Sequence, residues 1–357
     1  MHDQNDMYGP VIDFINQELQ SGRMILNPLE KMESTFFRIV RAFESNGWQS
    51  KPVEGKPLHR VIFNPDGEKT LTQIGGEPFR HPKVTIDLCA NKPLVKKILE
   101  MNGVQVSAGA DFDRSEKEEA RIYFELAPKP LVFKPSHDGG SHGVSVGVVS
   151  STQFDAAWAE AAAAPVQKNR IQIERYIAGV EVRVYVVGNR VVGALARLQP
   201  FVVGDGESTI EELLGELEEL RSVSVRLART TVQPDWKFLS KFGFSKNSVV
   251  EKDRIVILSP STVYRVGGLM GDITDILSPE IKELAIRAKN AIPHLEIAGI
   301  DFLVGDINDA STAVALEVNT SAAVEPHIYP AWGEARDMAK QFADYFHDDF
   351  VQRANAH

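Results

Sequence analysis

Hydrophobic positions along the chain switch between two spacings. Leu29, Met32, Phe36, Val40 and Phe43 recur three and four residues apart, which predicts an amphipathic helix over 29–46 with Gly47 at its C-cap. Residues 59–63 (HRVIF) read as a strand, and Asn64-Pro65-Asp66-Gly67 as the turn behind it. Residues 94–101 read as a second helix with Gly103 beyond its end. Residues 130–135 (PLVFKP) form a short apolar strand, a Gly/Ser/His loop follows, and Val144, Val146 and Val148 then alternate as a strand does. Ser151 or Thr152 caps a helix in which Phe154, Trp158 and Ala162 lie four apart, and Pro165 ends it. Strands follow at 171–177 and 181–188, joined by Ala178-Gly179. Gly204-Asp205-Gly206 turns into a helix through Ser208-Thr209-Ile210-Glu211, which reads as a capping box. Residues 222–265 show no sustained period. Residues 279–290 read as a helix, 297–304 and 312–319 as strands, and 333–347 as the closing helix. Helices and strands alternate irregularly, with hairpins between them, so the expected fold class is α+β (mixed α/β).

Four groups of residues stand out against this pattern. Lys134 precedes the loop that holds Ser136, Gly139, Gly140, Ser141, His142 and Gly143. Glycines let backbone N–H groups approach a phosphate, and a lysine on the strand before them adds a point charge. The loop lacks the Gly-Lys-Ser/Thr ending of a P-loop and opens a strand instead of a helix. A phosphate loop and a plain flexible hairpin both fit. In the second group, pairing Asp301 opposite Glu317 puts Asp306 opposite Thr312 and leaves 307–311 as the connecting loop. Glu317 and Asn319 then share one face, and with Asp301 they offer three oxygen ligands of the kind Mg²⁺ takes. Third, Glu174 and Glu181 bracket Arg175-Tyr176-Ile177-Ala178-Gly179, a segment able to offer backbone groups to a base and a carboxylate to a ribose, although taken alone it reads more simply as a surface hairpin. Last, Arg183, Arg197 and Arg265 are suited to bidentate recognition of carboxylate or phosphate. His327 is a candidate substrate contact, although a lone histidine is more often structural.

Composition narrows the picture. Over 357 residues, Lys plus Arg number 39 and Asp plus Glu 49, a net charge of −10. That argues against a surface built for nucleic acid or an anionic membrane while leaving room for a local basic pocket. The single cysteine, Cys89, excludes an intrachain disulfide and a Cys-rich metal site, as suits a reducing compartment. The N-terminus lacks a secretory pattern and no apolar run reaches the ~20 residues of a membrane helix, so the cytoplasm is the expected location.

The order of these groups resembles the ATP-grasp superfamily of carboxylate–amine ligases. Lys92, Lys134 with its glycine loop, Glu174-Arg175-Tyr176-Ile177 with Glu181, Asp301, and Glu317-Val318-Asn319-Thr320 carry the resemblance. Further stretches are similar to the ATP-grasp region of cyanophycin synthetases and bifunctional glutathione synthetases. These are Val202–Gly206 with Ser208-Thr209-Ile210, Gly267-Gly268 followed by Asp272-Ile273-Thr274-Asp275, Ala298–Phe302, and His327 with Pro330 and Gly333. The resemblance covers roughly residues 88–348. It implies an ATP-grasp fold with an N-terminal α/β domain over 1–87, a nucleotide-lid subdomain over 88–177, and a C-terminal subdomain over 178–357. It implies that Lys92 and Lys134 bind ATP phosphates under the loop Ser136–Gly143. The segment Glu174–Ile177 would meet adenine, with Arg175 and Ile177 doing so through backbone groups, and Glu181 would bind ribose. Asp301, Glu317 and Asn319 would hold Mg²⁺ (or Mn²⁺). Arg183, Arg197 and Arg265 would serve catalysis, and Gly267, Gly268, Thr320, Ser321 and His327 the substrates. Those substrates would be a small-molecule acid and amine, amino acids or short peptides, joined through an acyl phosphate by an enzyme expected to be a homodimer. A phosphotransferase and a non-catalytic nucleotide-binding regulator are the alternatives. Two departures stand out: Ala322-Ala323 replaces the Pro-Gly turn of glutathione synthetases and D-alanine ligases, and Gly299 stands where D-alanine ligases carry arginine.

Overall fold

The computed structural model describes residues 3–63, 70–74, 81–136, 143–164 and 169–354. The expected turn at 64–67, the loop residues 137–142 and Pro165 lie outside them. Helices α1 (Gln4–Gln20) and α2 (Thr35–Ser45) open the chain, followed by strands β1 (Gln49–Val53), β2 (Lys56–Phe63) and β3 (Thr70–Ile74), an antiparallel three-stranded sheet. Next come α3 (Lys83–Ala90), α4 (Lys92–Met101), β4 (Gly109–Asp113), α5 (Lys117–Leu126), β5 (Leu131–Pro135), β6 (Ser145–Val148), α6 (Ser151–Ala163) and β7 (Arg170–Arg175). Their four strands pair in the order β4-β7-β5-β6. The remainder holds β8 (Val180–Val187), β9 (Arg190–Leu198), β10 (Phe201–Val203), α7 (Ile210–Arg221), α8 (Trp236–Ser240), β11 (Ile255–Ile257) and β12 (Leu269–Asp272). It closes with α9 (Pro279–Asn290), β13 (Ile297–Val304), β14 (Ala313–Asn319), α10 (Glu325–Ile328) and α11 (Met338–Ala354). A five-stranded sheet runs β12-β9-β8-β13-β14, beside a β10-β11 ribbon.

Strand periodicity explains how this sheet serves two cores. Val180, Val182, Val184 and Val186 of β8 pack with Ile300, Phe302 and Val304 of β13, with α9 and with α1 on one side. Tyr185 and Val187 point to the other side, where α2 and α11 cover them. A separate core fills the four-stranded sheet, where Phe133 and Ile173 meet Phe124, Phe154 and Trp158.

Several expected boundaries move, each for a local reason. The helix expected over 29–46 starts at Thr35, because Leu29 is bound instead to the strand-like segment at 223–225 through N–H and C=O bonds of 2.9 and 2.7 Å. The cap of α6 is Ser150, in a capping box with Gln153. The box before α7 lies one residue further on: Thr209 pairs with Glu212, while Ser208 donates to Asp205 at 2.6 Å. The closing helix begins at Met338 and not at 333, since Gly333 sits at φ 81° and Arg336 is held by Asp272. Helix α1 was not expected, although Tyr8, Val11, Ile12 and Ile15 have helical spacing and are all buried.

The hairpin of β13 and β14 pairs Asp301 with Glu317 as expected. One step later Phe302 pairs with Ala315, so Leu316 is an extra residue, a β-bulge. Ala313, Ala315 and Val318 therefore share a core that uniform alternation would deny to one of them. The expected Asp306–Thr312 strand pair is replaced by a turn beyond the sheet, in which the Asp306 N–H donates to Thr312 Oγ1 at 3.0 Å.

Candidate active site

The cation and carboxylate side chains come together because four strands present them in register. Asp301 faces Arg183 of β8 on one side and Glu317 of β14 on the other, and Glu181 faces Arg197 of β9. Arg183 grips Asp301 bidentately, Nε to Oδ1 at 2.7 Å and Nη2 to Oδ2 at 2.6 Å. Arg197 donates to Glu181 and lies 3.5 Å from Asp301 Oδ2. Glu181 also accepts from the Thr262 hydroxyl. Asn319 Nδ2 bridges the two acids, at 3.1 Å from Asp301 Oδ2 and 3.2 Å from Glu317 Oε1. Lys92, the first residue of α4, reaches Glu317 at 3.0 Å.

Burial works against these charges and their partners work for them. Complete burial pushes the Asp301 carboxyl above the usual carboxylate range, against the pull of Arg183. Burial alone would raise Glu317 too, but Lys92, Asn319 and Arg183 hold it down at about 2. Burial disfavours the Arg183 cation, yet Asp301 outweighs it and keeps the guanidinium charged.

Across from this face lie Lys134 of β5 and Lys96 of α4. Glu174 of β7 accepts from Lys134 Nζ at 2.8 Å, from Ser107 Oγ at 2.9 Å, and from Lys96. Burial and the neighbouring Lys134 push the Lys96 ammonium down to about 8, with Glu174 opposing them. The same two lysines hold Glu174 below the usual carboxylate range despite its burial.

Between the two faces is a cleft of about 490 Å³. Val132, Lys134, Val144 and Val146 line it from the smaller sheet. Glu174, Arg175, Tyr176, Ile177 and Gly179 line its hinge side. Glu181, Arg183, Arg197, Glu317 and Asn319 line it from the larger sheet, with Lys92 at one end. A volume of this size suits a small-molecule ligand. Tyr8, Ser107, Gln199 and the segment 260–263 also line the wall, with Pro135, Leu303 and Leu316, and sequence reasoning missed them. It also missed Lys96, which stands one helical turn after Lys92 on α4.

Other candidate residues stand elsewhere. Asp301 is 1% exposed, behind the cleft wall. Ser136 is buried and donates to Asp111. Gly143 is packed on α6, and residues 139–142 lie outside the described ones. Arg265 is exposed on a 3-10 turn, turned to solvent and not to the cleft. Gly267 at φ 98° and Gly268 pack against Val232 and the Thr262 carbonyl, so they support the 260–263 segment and do not line the cleft. Thr320 and Ser321 lie in the turn after β14, away from the cleft lining. His327 is fully buried, edge-on to Tyr185 and against Gly193, and neither ring nitrogen has a partner among the described residues. Burial, reinforced by Arg183 and Arg336, holds its imidazole down at about 3. It is a core residue, not a substrate contact. The two departures from the family pattern meet in space: a Cβ on Gly299 would lie 2.5 Å from the Ala322 Cβ.

Among the described residues no three His, Cys, Asp or Glu side chains form a metal-binding group. The Asp301–Glu317–Asn319 set has two such residues and reaches three donors only through a carboxamide. Its chemistry still fits a hard cation: two carboxylates and an amide oxygen are hard donors, and a turn of the Asn319 amide, whose Nδ2 donates to both carboxylates, brings that oxygen to them. Among the described residues no helix is long and apolar enough to cross a membrane.

No protein-family profile matches the chain. Among curated proteins it is 29% identical over 299 residues to the glutathione biosynthesis bifunctional protein GshAB of Clostridium perfringens, across 80% of this chain and 38% of that protein. It is 31% identical over 271 residues to the cyanophycin synthetase of Trichormus variabilis, across 72% of this chain and 29% of that protein. The chain thus spans less than two-fifths of the length of these relatives. Among solved structures, a bifunctional glutathione synthetase from Pasteurella multocida superposes with a TM-score of 0.61 at 20% identity, over 88% of this chain and 43% of that one. The shared fold, the run of sequence relatives and the cleft lined by Lys92, Lys134, Glu317 and Asn319 lead to one conclusion: the chain belongs to the ATP-grasp superfamily, with cyanophycin synthetases and bifunctional glutathione synthetases as its relatives.

Proposed function

We propose that the protein is an ATP-dependent carboxylate–amine ligase. The observation that carries this reading is the cleft where Lys92, Lys134, Arg183, Arg197 and the Glu317–Asn319 pair face one another. A substrate carboxylate oxygen attacks the γ-phosphorus of ATP and ADP leaves. The amine then attacks the acyl carbon, loses a proton, and phosphate departs with the former carboxylate oxygen. Lys92 and Lys134 neutralise the phosphates, while Arg183 and Arg197 face the transferred group. Tyr176 and Ile177 border the base, and Glu181 the ribose. Glu317 and Asn319, backed by Asp301, would hold Mg²⁺ (or Mn²⁺), which supplies charge neutralisation at the phosphates. The cleft must exclude water, because an acyl phosphate hydrolyses readily.

In this reading residues 88–177 form the nucleotide lid, 178–357 the catalytic subdomain, and 1–87 a supporting α/β unit. Amino acids or short peptides are the substrate class, and the lone Cys89 suits the cytoplasm. The test is a screen of pooled amino acids and short peptides for ADP release, with mass spectrometry of the product and hydroxylamine in place of the amine. A ligase gives a hydroxamate. A stable phosphorylated product instead would assign a kinase, and no stimulation of ADP release by any pool would remove the catalytic reading.

A further inference from the structure

Helix α4 places a second lysine, Lys96, beside the cleft without exposing it. Lys96 is 6% exposed and is not part of the cleft lining. Its ammonium donates to Ser107 Oγ at 2.6 Å and to one oxygen of Glu174. The other oxygen of Glu174 accepts Lys134 at 2.8 Å and Ser107 at 2.9 Å. One carboxylate, 3% exposed, therefore serves two ammonium groups, and only Lys134 faces the cleft. A buried carboxylate stripped of its cation is strongly disfavoured. Were Lys134 the only partner of Glu174, moving it onto a ligand phosphate would strand that charge.

We infer that Lys96 is a positioning residue that keeps Glu174 neutralised and so frees Lys134 to transfer to a nucleotide phosphate. The inference rests on the reading of the cleft as a nucleotide site. With Lys96 and Ser107 holding Glu174, the transfer exchanges one anionic partner of Lys134 for another. Without Lys96, Glu174 and the phosphate compete for the same ammonium.

The experiment is ATP titration in the presence of Mg²⁺ by calorimetry, on the full chain, Lys96→Met, and Lys96→Met/Glu174→Gln. Thermal melts check that each is folded. The single variant should bind ATP about tenfold more weakly or worse, the weight of one charge-assisted hydrogen bond. The double variant should recover most of that loss, because an uncharged carboxamide in place of the Glu174 carboxylate no longer claims Lys134. Unchanged affinity in the single variant overturns the inference. So does a double variant no better than the single one, which is the result expected if Lys96 only holds the fold together. A wild-type chain that binds no ATP would instead remove the nucleotide reading beneath it.

Discussion

At the scale of single residues, the site depends on which charge each buried group can lean on. Lys134 faces the cleft, so Lys134→Ala should weaken ATP binding by about 10- to 100-fold, the range of a hydrogen bond between charged groups, and equilibrium titration checks it. Glu317 gives up its charge partner Lys92 if a metal takes its place, so Glu317→Gln should raise the Mg²⁺ concentration needed for half-maximal ADP release several-fold. Normal Mg²⁺ dependence would remove the ligand assignment. His327 makes a prediction about stability. Its imidazole is neutral and buried, with its proton affinity held down at about 3, against an ordinary value near 6.5 in the unfolded chain. The unfolded state therefore takes up a proton first as pH falls. Stability from this group is complete above pH ~6.5 and declines by roughly 1.4 kcal/mol per unit toward pH 3. Denaturant titration at pH 7 and pH 4.5 should show that decline, and His327→Phe should flatten it. Gly299 is the other residue with a sharp expectation. A Cβ there would press on Ala322, so Gly299→Ala should cost about 1–3 kcal/mol unless the 322–323 turn moves aside, as a thermal melt will tell.

At the scale of elements, strand parity and register were the legible part. Ile297–Val304 and Pro279–Asn290 agree with the sequence pattern residue for residue, because each is regular and cleanly bounded. The Asp301–Glu317 pairing was legible from alternation and hairpin length alone. The wall made by 260–263 was not, because it is held by Gly268 against a carbonyl and by Thr262 on Glu181, contacts with no periodicity. His327 misled for the opposite reason: a histidine beside charged residues looks functional in one dimension, while the fold seats it beneath Tyr185. Helix α1 was overlooked behind Gly9-Pro10, and it ties the two halves of the cleft. Met7 carbonyl accepts the Tyr176 hydroxyl at 2.5 Å, Tyr8 lines the cleft, and the Gln4 side chain bonds both the C=O and N–H of Ile257 at 2.9 Å. Gln4→Ala leaves both Ile257 groups unpaired and should cost about 1–3 kcal/mol in stability. It should also weaken nucleotide binding as Tyr8 loses its anchor, and a melt paired with a titration reads both.

At the scale of the whole molecule, the smaller sheet has a core of its own, separate from the two that sandwich the larger sheet. Closure over a ligand can therefore be a movement of one packed body against another. Native-state hydrogen exchange should find the amides of β5 and β7 opening as one block and those of β8 and β13 as another, with ATP slowing both. At ~100 times its Kd a ligand adds about 2.7 kcal/mol to the state it binds. The body as a whole carries −10, yet the cleft gathers Lys92, Lys134, Arg183 and Arg197, a local concentration of positive charge that welcomes an anion. The bulge at Leu316 decides on which side of the sheet part of that welcome falls. Strand β14 is written in two frames: up to Ala315 the odd positions face the core, and from Glu317 onward they face the cleft. Removing residue 316 would take one apolar side chain from the cleft lining and would turn Glu317 and Asn319 inward, where an unpartnered carboxylate costs several kcal/mol. The site is thus kept by a count as much as by residue identity.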